Sequence, residues 1–155
     1  MPGAGKSSVG VILAKVLGYE FIDTDLVIQH REKRLLREII ADEGNEGFLA
    51  IENEVNATLE ADKSVIAPGG SAIYGKEAME HFKEIGTIVY LKLSYEDLAK
   101  RLGNLKGRGV VLKEGQTLKD LYDERSKLYE QYAEITVDES GRDIPVSYTH
   151  LRAHE

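Results

Sequence analysis

The residues with the clearest chemical potential stand at the start of the chain, in "GAGKSS" from Gly3 to Ser8. Gly3 and Gly5, with Ala4 between them, let backbone N–H groups turn inward around a polyphosphate. Lys6 reaches the outer phosphates, Ser7 suits Mg²⁺, and Ser8 completes the phosphate-contacting set. This is the chemical half of a Walker A loop, and the helix after it adds the positive end of its dipole. The same glycines also suit a turn that merely caps a helix. Their spacing, the amphipathic stretch that follows and the alternating pattern beyond it favour phosphate.

Four further positions carry charge where charge does work. Asp23 and Asp25, two apart, point the same way if the chain there is extended. Such a pair supplies one carboxylate to orient or deprotonate an attacking hydroxyl and another to hold a metal's waters. The other reading is a pair of surface acids, with Thr24 or Asp25 capping the next helix. Arg125 falls on an apolar helical stripe of Leu118, Leu121, Tyr122, Leu128, Tyr129 and Tyr132. A guanidinium there needs an anion, either a core acid such as Glu52 or a ligand. Arg108, in a stretch rich in Gly and Lys from Gly103 to Gln116, either closes over phosphates as part of a lid or is a solvated loop residue.

The elements that must position these groups alternate. Val9, Ile12, Leu13, Val16 and Leu17 recur at helical spacing and Gly18 stops the run. "YEFID" reads as a strand, followed by the helical stretches "LLREIIADEG" and "EGFLAIENEVNATLEAD". "SVIAPGG" suits a buried strand ending in a tight turn. "KEAMEHFKEIG" is helical, "TIVYLKL" is a strand, and "SYEDLAKRL" is a helix with Ser94 as its cap. "TLKDLYDERSKLYEQYAE" is a strong helix and "ITVD" a last strand. The pattern predicts an α/β fold with a parallel sheet and crossover helices, and ligands at the carboxyl ends of the strands.

The whole chain of 155 residues, 42% hydrophobic, is sized for one globular domain. A net charge of −7 gives no general attraction to nucleic acid or to an anionic membrane, so small-molecule partners are expected. With no Cys there is no disulfide, thiolate zinc site or thiol catalysis, which fits a cytoplasmic protein. The most apolar early stretch is too short to span a bilayer. His30, His81, His150 and His154 lack metal-ligand spacing and read as surface residues.

Taken together, "GAGKS", "FIDTD", "GF..IE" at Gly47 to Glu52, "GG.A" at Gly69 to Ala72, "TIVYL", Arg108 and "ER..LY" at Glu124 to Tyr129 resemble the shikimate kinase family. The resemblance runs from Pro2 to about Asp143. It implies a P-loop NTPase-type three-layer α/β/α fold and a monomeric kinase that moves the γ-phosphoryl of ATP to the 3-hydroxyl of shikimate. By matching position, Lys6 and Ser7 hold phosphates and Mg²⁺, Asp23 lies near the metal, and Asp25 grips the accepting hydroxyl. Gly69 and Gly70 line the substrate site, Arg125 binds the substrate carboxylate, Arg108 comes down with the lid, and Arg101 lies against adenine.

The chain also departs from the family. Leu49 stands where an arginine usually grasps the carboxylate, Ser71 replaces the third glycine of the turn, and Gly109 replaces a proline after the lid arginine. Losing one charge-assisted bond, worth roughly 1.5 to 3 kcal/mol, weakens binding by tenfold or more. The family's first apolar strand is expected upstream of Met1, and "VSYTHLRAHE" resembles an adapter-derived peptide. The kinase domain is therefore expected over residues 1–143, with a non-native tail over 144–155. The alternatives are a gluconate-kinase-like enzyme acting on another small hydroxy compound, or a degenerate, non-catalytic kinase fragment.

Overall fold

A computed structural model of the chain describes residues 6–103 and 115–138, with side chains over 8–100 and 115–138. Helix α1 (Lys6–Leu17) ends where Gly18 takes a left-handed φ of 71°. Two residues later the chain enters β1 (Glu20–Asp23). Gly10 packs on β1 so closely that a Cβ there would sit 2.8 Å from the Phe21 ring and 3.5 Å from Val65. The reversal at Gly18 and this contact set α1 antiparallel to β1, so the helix N-terminus lies at the strand's carboxyl end.

Helix α2 (Thr24–Glu32) follows β1 directly. The long α3 (Leu36–Ala57) is broken at Gly44, whose φ of 74° and ψ of 176° only glycine adopts freely. That break separates the two helical stretches expected from sequence. Next come β2 (Ser64–Ala67), a short 3₁₀ helix (Gly70–Tyr74), α4 (Lys76–Ile85), β3 (Val89–Lys92), α5 (Tyr95–Gly103), α6 (Leu118–Tyr132) and β4 (Ile135–Asp138). Ser94 Oγ accepts from Asp97 N at 3.2 Å at the start of α5, as its cap role requires. Thr117 and Asp120 form a reciprocal capping box on α6.

The strands form two parallel pairs, β1 with β2 and β3 with β4. Among the described residues, β2 and β3 each have a strand neighbour on one side only. Helix α1 bridges the pairs. Its Gly10 rests on Phe21 and Val65, while its Val9 packs with Val137 of β4, flanked by Leu91 and Ile135. A second core, Ile73, Met79, Phe82, Tyr90, Leu93, Leu98 and Tyr129, joins α4, β3, α5 and α6. A third, Ile28, Ile39, Phe48 and Val55, holds α2 against α3.

Candidate active site

Parallel register brings the site together. Asp23 pairs with Ala67 at the ends of β1 and β2, so the segments that follow, Asp23 to Asp25 and Pro68 to Gly70, emerge side by side. A Cβ built on Gly69 would lie 2.9 Å from Asp25 Oδ1 and 2.9 Å from Glu52 Oε2. With φ −63° and ψ 159°, Gly69 has a backbone that any residue adopts. Glycine is needed there for room, because two carboxylates close on the position from opposite elements.

The pair Asp23 and Asp25 does not stand on one extended strand, as its spacing had suggested. Asp23 ends β1 and is itself the N-cap of α2, its Oδ1 accepting from Asp25 N at 2.9 Å, while Asp25 sits in the first helical turn. Neither Thr24 nor Asp25 is the capping residue. The cap turns the chain sharply and is what presents the Asp25 carboxylate to Gly69. Thr24, between them, is fully buried.

Arg125 is 1% exposed, with Leu121 and Tyr129 along the buried face of α6. Its guanidinium lies over the Tyr74 ring, 5.5 Å from the centroid. Burial pushes the Tyr74 phenol up, and the Arg125 cation opposes the shift. Burial pushes Tyr129 up further, again against the pull of Arg125. Tyr129 therefore stays protonated and donates its hydroxyl hydrogen to Gly70 O at 2.5 Å. Thus α6 delivers a donor to Gly70 and a buried cation to Tyr74, at the two ends of the 3₁₀ helix.

Glu52 is 1% exposed and accepts from Ser71 Oγ at 2.6 Å. The sequence places Glu52 in the "GF..IE" signature and offers it as a partner for Arg125, and it marks Ser71 as a departure; it does not pair the two. The signal for Glu52 was available: it lies between Phe48 and Val55 on the buried face of α3, the same logic that singled out Arg125. Leu49 packs against the cluster of Ile28, Ile39, Phe48 and Val55. The arginine expected at that position is replaced by a side chain that serves the apolar core.

Among the nucleotide-side residues, Lys6 and Ser7 open α1, Ser8 is exposed on its first turn, and Arg101 lies in α5. The side chains of Lys6, Ser7 and Arg101, and all of Gly3, Ala4, Gly5 and Arg108, lie outside what is described, as do His150, His154 and the tail. His30 is exposed, but His81 is not a surface residue as expected. It is partly buried, with Nε2 2.6 Å from Leu59 O. Among the described residues no group of three or more His, Cys, Asp or Glu is arranged to hold a metal.

Residues 2–153 match the family model described as shikimate kinase. The chain belongs to the shikimate kinase family. Shikimate kinase 2 of Yersinia enterocolitica is 32% identical over 164 residues, covering 99% of this chain and 92% of that protein. Its counterpart in Yersinia pseudotuberculosis is 34% identical over 145 residues, covering 88% and 81%. Among solved structures, shikimate kinase from Acinetobacter baumannii in complex with shikimate is similar at a TM-score of 0.83 and 32% identity, covering 98% of this chain and 87% of that one. Shikimate kinase from Aquifex aeolicus matches at a TM-score of 0.78 and 26% identity, covering 99% and 90%. The fold is accordingly the three-layer α/β/α arrangement of P-loop kinases.

Proposed function

We propose that the protein transfers the γ-phosphoryl group of ATP to the 3-hydroxyl of shikimate. The observation that carries this reading is the meeting of the Asp25 carboxylate and the Gly69 turn at the common carboxyl end of β1 and β2, in a chain of the shikimate kinase family. There Asp25 orients the accepting hydroxyl and takes its proton. The hydroxyl oxygen bonds to the γ-phosphorus as the bond to the β–γ bridging oxygen breaks, giving ADP and the phosphate ester. Arg125 neutralises the acceptor's carboxylate from the floor of the site.

On the nucleotide side, Lys6 and the N–H groups of Gly3, Ala4, Gly5 and Ser8 hold the phosphates. Arg108 closes over them and Arg101 lies against the adenine. Ser7 and Asp23 hold Mg²⁺, which when bound offsets the charge of the phosphates. Among the described residues no helix is long and apolar enough to cross a membrane. On this reading the protein works as a cytoplasmic monomer on small molecules, without nucleic acid or membrane as partner.

A coupled ADP-release assay with shikimate and a panel of other small hydroxy acids tests the acceptor. Asp25→Asn should lower kcat by about a hundredfold or more, since a positioned base contributes on that order. Lys6→Ala should abolish turnover without changing the melt. Normal turnover in either variant would overturn the assignment of that residue. A clear preference for another hydroxy acid would replace shikimate as the acceptor.

A further inference from the structure

We propose that Ser71 is a positioning residue for the acceptor site, acting through Glu52; this rests on the reading of the Gly69–Gly70 turn as acceptor-binding. The Ser71 hydroxyl donates to Glu52 Oε1 at 2.6 Å, and both side chains are buried, at 7% and 1% exposure. The second oxygen of the same carboxylate, Oε2, lies 2.9 Å from where a Gly69 Cβ would be, with Asp25 Oδ1 at the same distance. One end of the Glu52 carboxylate is thus held by the residue two positions after Gly69, while the other end packs on Gly69 itself. A buried carboxylate gives up a donor at a cost, so this pairing fixes how Glu52 faces the turn.

The turn is secured at two other points. Ala72 N donates to Gly69 O at 3.1 Å, and Tyr129 donates to Gly70 O at 2.5 Å. Those bonds hold its backbone, whereas the Ser71–Glu52 bond ties it sideways to α3. Glycine at position 71, the residue the resembling family carries there, supplies neither a donor for Glu52 nor the same restraint on the backbone. In this chain Leu49 packs on the apolar core, and Ser71 holds one oxygen of Glu52. Ser71 and Leu49 then belong to one local solution: the site keeps its shape through a hydroxyl from the turn.

The test compares wild type, Ser71→Ala, Ser71→Gly, Glu52→Ala and the Ser71→Ala/Glu52→Ala double variant in steady-state kinetics with ATP and shikimate, with a thermal melt of each. Ser71→Ala should raise the KM for shikimate by about fivefold, the loss of one modest hydrogen bond, and change kcat less than about twofold. The KM for ATP should not move. In the Glu52→Ala background, Ser71→Ala should have no further effect on the shikimate KM, because the acceptor through which Ser71 acts is gone. Ser71→Gly should reproduce the rise, and it carries the test if Ser71→Ala fails to fold. An unchanged shikimate KM in a folded Ser71 variant, equal rises for both substrates, or additive effects with Glu52→Ala would overturn the proposal. A wild type inert with shikimate would overturn the acceptor reading, and this proposal with it.

Discussion

Around Arg34 three carboxylates gather at the surface. Glu32 lies at 2.9 Å, Asp42 at 3.1 Å and Glu43 at 3.6 Å from its guanidinium. These neighbours hold the Arg34 pKa above its ordinary value, the Glu32 bond contributing most. Around Gly69 the same residue types are gathered inside the fold, with Asp25, Glu52, Ser71 and Tyr129 against the turn and Arg125 over Tyr74 beside it. The surface cluster has more short ion pairs on view, yet water solvates each member nearly as well apart as together. In the interior cluster Glu52, Ser71, Tyr129 and Arg125 have given up water, so each must be held by a neighbour or by a ligand. Counting ion pairs would single out Arg34 as the important arginine. Burial singles out Arg125.

The sharpest way to break this comparison is to truncate both arginines. Arg125→Ala should raise the shikimate KM by about tenfold or more, the worth of a charge-assisted bond, and leave the ATP KM unchanged. It should also abolish the rise in Tm that shikimate confers on the wild type. If the variant instead melts early and loses affinity for both substrates alike, Arg125 is a core ion-pair partner and not an anion-binding residue.

A smaller effect is expected where the two kinds of environment meet, at Leu49. Leu49→Arg should lower the shikimate KM by about threefold to tenfold, because Glu52 three residues on can orient a guanidinium on the same side of α3. It should also cost about 1 kcal/mol of stability, as a half-buried leucine leaves the cluster of Ile28, Ile39, Phe48 and Val55. A loss of stability with no gain in shikimate use would show that the pocket is built around leucine. The least effect belongs to Arg34→Ala. Kinetics should be unchanged and Tm should move by about 2 °C or less, with the difference shrinking further in high salt. A large Tm loss there would erase the distinction between the two clusters.

Much of this molecule was legible in its sequence. The alternation of helix and strand, the break at Gly44 and the Ser94 cap all depend on residues a few positions apart. So does the placement of Arg125 on the buried stripe of α6, since a helix repeats its face every three or four residues. Local steric and hydrogen-bonding rules suffice for such features, and no other part of the chain need be known.

What only the tertiary structure decided is how distant segments meet. Asp23 as a cap, with Asp25 turned into the helix beyond it, follows from where β1 ends, and residue spacing alone suggested a different arrangement. The register of β1 with β2 brings Asp25 against Gly69. The Ser71–Glu52 bond joins residues 19 apart in sequence, and the Tyr129–Gly70 bond residues 59 apart. A serine in place of a glycine, read along the chain, is only a loss of freedom. It becomes a hydrogen-bond donor because folding buries a carboxylate 2.6 Å away, and a buried carboxylate must be answered by a donor that water no longer supplies.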